Sequence, residues 1–164
     1  MDDKDRAILE VLQRDDRTGY AEIGARVHLA ASSVFERVKR MEREGVINGY
    51  GARLDPTRLE RGVTAFVSIA TRAASADIVP RLARLPELED CYSIAGSDSL
   101  MLKVRTGTTQ ELESLLERIR GTLGVERTRT TIALDTYFEH RPLPLEGYVN
   151  TPRRGRADDD EEEE

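Results

Sequence analysis

The sequence predicts an α+β fold in two parts, an N-terminal winged helix-turn-helix followed by a ferredoxin-like βαββαβ unit. Two observations predict it. Residues 1–54 hold three amphipathic helical patterns, the third rich in Arg and Lys, closed by an Asn-Gly hairpin signal. Residues 63–142 then alternate strand-like and helix-like segments in the order βαββαβ. Aromatic residues are scarce and Trp is absent, so each small core must rest on Leu, Ile and Val.

In the first part, Ile8, Leu9 and Leu12 repeat at helical spacing from Asp5 on, and "DDRTG" breaks the pattern. Tyr20, Ile23 and Val27 form a second stripe. A third begins near Ser32, where Val34, Val38 and Met41 sit at i, i+4 and i+7 and make an apolar seam. The residues around the seam, "SSVFERVKRMERE", turn Glu36, Arg37, Lys39, Arg40 and Arg43 outward, and Gly45 stops the helix as a C-terminal cap does. In "VINGYGARL", Asn48-Gly49 between apolar residues predicts a small hairpin. The short turn "HLAA" between the second and third helices holds the third at an angle from which its N-terminal residues can enter a major groove.

Asp55-Pro56 predicts a short linker helix, with Asp as N-cap and Pro at the first helical position, closing at Gly62. "VTAFVSIAT" alternates as a strand. A helix is predicted from Asp77, with Pro80 in its first turn, where no helical N–H is lost, and with Pro86 ending it. "LEDCYSIAG" and "LMLKVRT" are two more strands. Thr108 to Glu111 is a capping box ahead of a helix with Leu112, Leu115, Leu116 and Ile119 on its buried stripe, and "VERTRTTIAL" is a fourth strand. In this order both helices cover one face of the sheet. The other face has to be buried as well, and self-association is the cheapest way, so the chain is expected to form an oligomer.

Charge and composition narrow the function. The net charge of −6 is unevenly placed. The last fourteen residues carry three Arg against seven acids, and outside them 22 basic residues stand against 24 acidic ones. Between Ser32 and Arg53 five cations face three glutamates, so this segment is locally basic. No apolar run is long enough to span a membrane and no secretory leader is visible. The single cysteine, Cys91, fits a reducing cytoplasm and reads as a small buried hydrophobe. His28 and His140 are the only histidines, and with no Cys-x-x-Cys beside them no metal site is expected. Catalytic residues and cofactors are likewise not expected. "IAGSDSLML" fails as a nucleophile elbow, for want of a second Gly at Ser99, and lacks the Gly-x-x-x-x-Gly-Lys frame of a phosphate loop. A plain hairpin turn and a ligand loop both remain open for it. Gly96 would allow close backbone approach, exposed N–H groups would take a carboxylate, Asp98 an α-ammonium, and Ser97 or Ser99 would add a hydroxyl.

Taken together, "DDKDRAILEVLQRDDR", "RVKRMEREGVINGYGARLDP", "AFVSI", "PELEDCYSIAG" and "GVERTRTTIAL" resemble, in order, segments of the Lrp/AsnC family of feast/famine regulators over residues 2 to 142. The resemblance implies a transcription regulator that is not an enzyme and binds double-stranded DNA. It also implies dimers through the βαββαβ unit, often octamers, and an amino-acid effector at subunit interfaces. The divisions then expected are a DNA-binding unit over 1–54, a linker over 55–62, an effector-binding and dimerisation unit over 63–142 and a C-terminal extension over 143–164 ending in a disordered acidic tail. Ser32, Ser33, Phe35, Arg37, Lys39, Arg40, Arg43 and Arg53 are the candidate DNA contacts. Phe35 suits a thymine methyl, Arg37 and Arg40 suit phosphate or guanine, and Arg53 suits backbone. Gly96, Ser97, Asp98 and Ser99 are the candidate effector loop.

The chain departs from the family pattern at four places. Where Gly-Leu-Ser precedes the recognition helix, this chain has His28, Leu29 and Ala30, losing a Ser cap worth about 1 kcal/mol. Ser33 to Glu36 fits a capping box and is expected to start the helix later instead, with Glu36 acting as the cap rather than as a base contact. Gly24 replaces a preferred Ala. In the loop, the family's acid position is Ser99, and Asp98 lies one residue earlier. The acidic tail has no family counterpart and is expected either to aid solubility or to compete with DNA for the basic helix. Two other functions fit the same two-part build: an architectural, weakly specific DNA-compacting protein, and a sirohaem-decarboxylase-like enzyme, for which two histidines are too few.

Overall fold

The computed structural model describes residues 1–145, and the acidic tail lies outside the described residues. The described chain forms two compact units, Met1–Ala52 together with the residues from His140 on, and Arg53–Glu139. The division expected at 143 therefore moves. Leu143 exchanges hydrogen bonds with the Gln13 side chain, at 2.6 and 3.3 Å, and Leu145 packs on the first unit's core.

The first unit contains α1 (Asp3–Arg14), α2 (Tyr20–Val27) and α3 (Ala31–Arg43). Each presents the apolar stripe read in its sequence. Ile8, Ile23, Val34 and Val38 are wholly buried, with Leu9, Leu12, Val27 and Met41 beside them. At about 1.5–3 kcal/mol for each large aliphatic side chain removed from water, this cluster holds the three helices together. α1 starts two residues earlier than the apolar pattern does, because Asp2 and Asp5 form a reciprocal capping box. α2 ends on His28 in the left-handed conformation, with the Leu29 N–H donating to the Gly24 carbonyl at 2.9 Å. A Cβ on Gly24 would lie 2.4 Å from the Leu29 carbonyl oxygen, so the glycine that looks like a weak helix former is what lets this turn close.

α3 begins at Ala31 with Ala30 as N-cap and no side-chain cap. The later start on a Ser33–Glu36 capping box does not occur, and both serines sit exposed in the first turn. The helix closes on Gly45 at φ +66°, with Gly45 and Val46 N–H groups donating to Glu42 and Met41 carbonyls. The hairpin expected over 46–54 is absent, since no residue there is in a strand. The reason lies in the cap: Val46 and Ile47 both donate to the Met41 carbonyl, at 2.9 and 3.2 Å, so the first arm has no N–H groups left for a ladder. The segment is held at its middle instead, the Gly51 N–H donating to Asp16 and the Tyr50 hydroxyl to Glu42.

In the second unit the expected linker helix is a single turn. The Glu60 N–H donates to the Thr57 carbonyl and the Arg61 N–H to that of Pro56, with Glu60 left-handed at φ 55°. The turn ends as soon as it begins, because this pairing is itself a helix-closing motif. The strands β1 (Val63–Thr71), β2 (Leu88–Ser93), β3 (Leu100–Thr106) and β4 (Val125–Ile132) form one antiparallel sheet in the order β2-β3-β1-β4. This is the βαββαβ topology. α4 (Ser75–Leu82) and α5 (Thr109–Arg120) cover one face, where Ala65, Val67, Ile69, Leu100, Leu102 and Val104 meet Ile78, Leu82 and the Leu112-Leu115-Ile119 stripe. Cys91 packs half-buried on this core, and burial pushes its thiol pKa up.

α4 starts at Ser75, two residues before the position expected, so Pro80 lies inside the helix rather than in its first turn. It removes the N–H that would have reached the Ala76 carbonyl. Thr108 caps α5 as expected, accepting from the Glu111 N–H at 3.1 Å, but Glu111 reaches back to the Gly107 N–H rather than to Thr108's own. The sheet's second face carries Phe66, Ser68, Ala70, Met101, Lys103 and Arg105. Lys103 and Arg105 are buried there and held by Glu89 and Glu139. Burial opposes the charge on both cations, and the two glutamates outweigh it, raising both pKa values.

Candidate nucleic-acid interface and ligand loop

On α3, Ser32, Ser33, Glu36, Arg37, Arg40 and Arg43 recur at helical spacing and share one side of the helix. With Leu29 they line a shallow open groove of about 560 Å³. This is the surface a groove-reading helix offers, with small hydroxyls at its N-terminal end and cations behind. The cations differ in how much of their charge is available. Arg37 donates to Asp2 at 2.7 Å and to Asp5 at 2.8 Å, and Arg40 donates to Asp5 at 2.6 Å. Asp5 is 1% exposed and bridges both. Arg37 and Arg40 were expected to be free for phosphate or guanine, but both are already tied to α1. The physical reason is the position of Asp5 three and four residues before Ile8 and Leu9, on the buried stripe, where a carboxylate has to be paired. Burial pushes the Asp5 carboxyl up, and the Asp2 N–H, Arg37 and Arg40 together outweigh it and hold it below the usual range. The Arg37 hydrogen bond, with the Asp5 N–H behind it, brings Asp2 down to about 2.

Lys39 is on another side of the helix. It pairs with Glu42 at 2.7 Å and lies 5.9 Å over the Phe35 ring, which packs edge-on against Tyr20. Phe35 keeps a 41% exposed face. Arg43 is exposed and carries no ion pair among the described residues, and the Ser32 and Ser33 hydroxyls are likewise unengaged. Glu36 is exposed and does not act as the cap. Arg53 is exposed and is the first residue of the second unit rather than part of the first.

In the second unit, residues 94–99 join β2 to β3. The loop is fixed at its end, where the Ser99 N–H donates to the Ile69 carbonyl at 2.8 Å and the Ser99 carbonyl accepts from Ile94. Gly96, at φ +139°, is exposed with open space around it, and Ser97 is exposed too. Asp98 is not. It is 5% exposed, and its carboxylate accepts from Arg127 at 3.0 Å and Arg129 at 2.5 Å. The ammonium-binding role expected of Asp98 is therefore corrected, since two guanidiniums already hold that carboxylate. Reading the sequence missed Asp5, Arg127 and Arg129. A signal existed for each: the Asp2-x-x-Asp5 spacing ahead of an apolar stripe, and two arginines alternating on one strand face. Among the described residues no cluster of metal-ligating side chains occurs, and no helix is long and apolar enough to cross a membrane.

A three-helix unit whose third helix carries an open basic face, followed by a βαββαβ unit, is the build of a helix-turn-helix protein with a second α+β domain. Residues 1–42 match the AsnC-type helix-turn-helix domain, and residues 64–143 match the Lrp/AsnC ligand binding domain. The chain belongs to the Lrp/AsnC family of transcriptional regulators. It is 41% identical to the regulator LrpA of Mycobacterium tuberculosis, over 86% of this chain and 95% of that one. It is 33% identical to the leucine-responsive regulatory protein of Escherichia coli, over 88% and 92%. A feast or famine regulatory protein of M. tuberculosis, solved in complex with L-methionine, superposes with a TM-score of 0.81 at 41% identity, covering 85% of this chain and 96% of that one.

Proposed function

We propose that the chain regulates transcription in the cytoplasm as a dimer or higher oligomer, that paired α3 helices read a roughly palindromic DNA site, and that an amino acid at the Gly96–Ser99 loop sets affinity or assembly. The observation that carries the DNA half is the α3 groove, where Ser32, Ser33 and Arg43 stand unengaged beside the partly exposed Arg37 and Arg40. In this reading Ser32, Ser33 and Phe35 approach base edges, Arg43 takes phosphate, and Arg37 and Arg40 lend field and orientation through Asp5. The effector half is supported by the exposed Gly96-Ser97 backbone and by the relative bound to L-methionine. Oligomerisation is supported by Phe66, Tyr92 and Ile132, which remain 39–54% exposed on strands of the sheet.

A gel-shift titration with each amino acid in turn, read together with oligomer size, tests both halves. If no amino acid changed either, the effector half would fall, and footprints that spread in proportion to DNA length would replace a regulator with an architectural protein. Arg43→Gln should weaken binding about evenly across sequences and lower the salt slope by roughly 1. An unchanged slope would take Arg43 out of the interface.

A further inference from the structure

Arg127 and Arg129 alternate along β4, so both side chains lie on one face of the sheet. Their partners across the ladder are Ala70 and Ser68 of β1, on the face away from α4 and α5. Those partners are small and leave room above them for two guanidiniums. Two such cations side by side repel, and the one charge between them is the Asp98 carboxylate, delivered by the loop. It offsets one of the two positive charges and leaves the trio at a net of +1.

In the single chain, exposure then separates the three groups. The Asp98 side chain is 4% exposed, while those of Arg127 and Arg129 are 62% and 66% exposed. The carboxylate is used up between the guanidiniums, whereas each guanidinium has five N–H donors and gives one contact to Asp98. The exposed Gly96 and Ser97 N–H groups add further donors without partners among the described residues. Free carboxylates are missing by contrast, and the acceptors left at the loop are the Ser97 hydroxyl and the Gly96 and Ser97 carbonyls. Asp98 is engaged, Ser99's carbonyl is bonded to Ile94, and the neighbouring Glu126 on β4 is held by Arg72. A ligand at this loop meets fork-shaped donors and a net positive charge, the arrangement that suits a carboxylate.

We propose that Arg127 and Arg129, bridged by Asp98, form an oxyanion receptor at the ligand loop, and that the effector read there is an anionic amino acid carrying a second carboxylate. The proposal rests on the amino-acid reading of the loop given above. Asp98 acts as a positioning residue: it holds two like charges together and points their remaining donors outward.

The test is calorimetric titration of the full chain with L-aspartate, L-glutamate, L-leucine and inorganic phosphate. It compares wild type with R127Q/R129Q and with D98N/R127Q/R129Q. The triple variant leaves no unpaired buried carboxylate, so it keeps the test decisive should the double variant prove unfolded. An acidic amino acid should bind at least about tenfold more tightly than L-leucine, and both variants should lose about tenfold for it while changing L-leucine less than about twofold. L-leucine binding as tightly as either acid, or a folded triple variant that keeps the acidic ligand, would overturn the proposal and leave the amino-acid reading standing. Phosphate bound by wild type and lost in the variants, with no amino acid bound, would keep the receptor and remove the amino acid as its ligand. No binding of any of the four would overturn the proposal, and the titration with each amino acid in turn would then decide the amino-acid reading.

Discussion

Each unit holds one buried carboxylate between two arginines, and the two bridges differ in what surrounds them. Asp5 grows from the first turn of α1, directly ahead of Ile8 and Leu9. It takes Arg37, Arg40 and the Asp2 N–H, and its arginine side chains are only 28% and 40% exposed. Asp98 sits on a loop beside a glycine at φ +139°, takes two guanidiniums, and leaves both largely in water. The same pair chemistry therefore serves two purposes. In the first unit it fastens α3 to α1, so that the recognition helix is held by its own cations. In the second it gathers cations at a ligand loop, where their charge stays usable. Burial of the partners, rather than the presence of an ion pair, decides which.

Asp5→Asn breaks the comparison most severely. Removing one partner of a buried pair leaves the other poorly compensated, which costs 3–5 kcal/mol when both are buried. With the arginines partly solvated, about 2–4 kcal/mol is expected here. Urea denaturation of the full chain, followed by helical circular dichroism, should show an early transition of that size. A midpoint unmoved to within about 0.5 kcal/mol would mean that Asp5 does not fasten α3.

Acid should act on the same bridge. Asp2 and Asp5 have folded pKa values below the ordinary carboxylate value of 3.8, Asp2 at about 2. A depressed folded value means stability that is complete above about pH 4 and is lost as pH falls through the folded value. The first unit should therefore loosen between pH 4 and 2, and the loss should become shallower in a D2N/D5N chain. An equally steep acid transition in that variant would place its cause elsewhere. Glu89 and Glu139, also depressed, are the groups to examine next.

Why the bridges escaped sequence reading, while the strands and helices did not, follows from range. Val67 and Ile69 alternating with Phe66 and Ser68, or Leu112, Leu115 and Ile119 at helical spacing, are patterns within one element, and the βαββαβ succession and both cores followed from them. The Asp5 pairs span 32 and 35 residues and the Asp98 pairs 29 and 31, so no local period encodes them. The α3 groove was legible because Ser32, Ser33, Glu36, Arg40 and Arg43 share a helix face. Which of its cations were already engaged was not. The missing wing has a third cause: Asn48-Gly49 is a true turn signal, but the Schellman closure of α3 takes the N–H groups that a hairpin needs.

Asp98→Asn is expected to have the smallest effect on stability, which makes it the sharpest test of the contrast. Asn keeps the side chain's shape and one acceptor oxygen, so the loop can remain in place. Arg127 and Arg129 lose their counter-charge but are more than half solvated already, and exposed pairs contribute only about 0–1 kcal/mol. Measured in the same urea series as Asp5→Asn, the cost should stay below about 1 kcal/mol. A cost matching that of Asp5→Asn would show that the loop bridge is as structural as the helix bridge, and that exposure of the arginines does not separate the two.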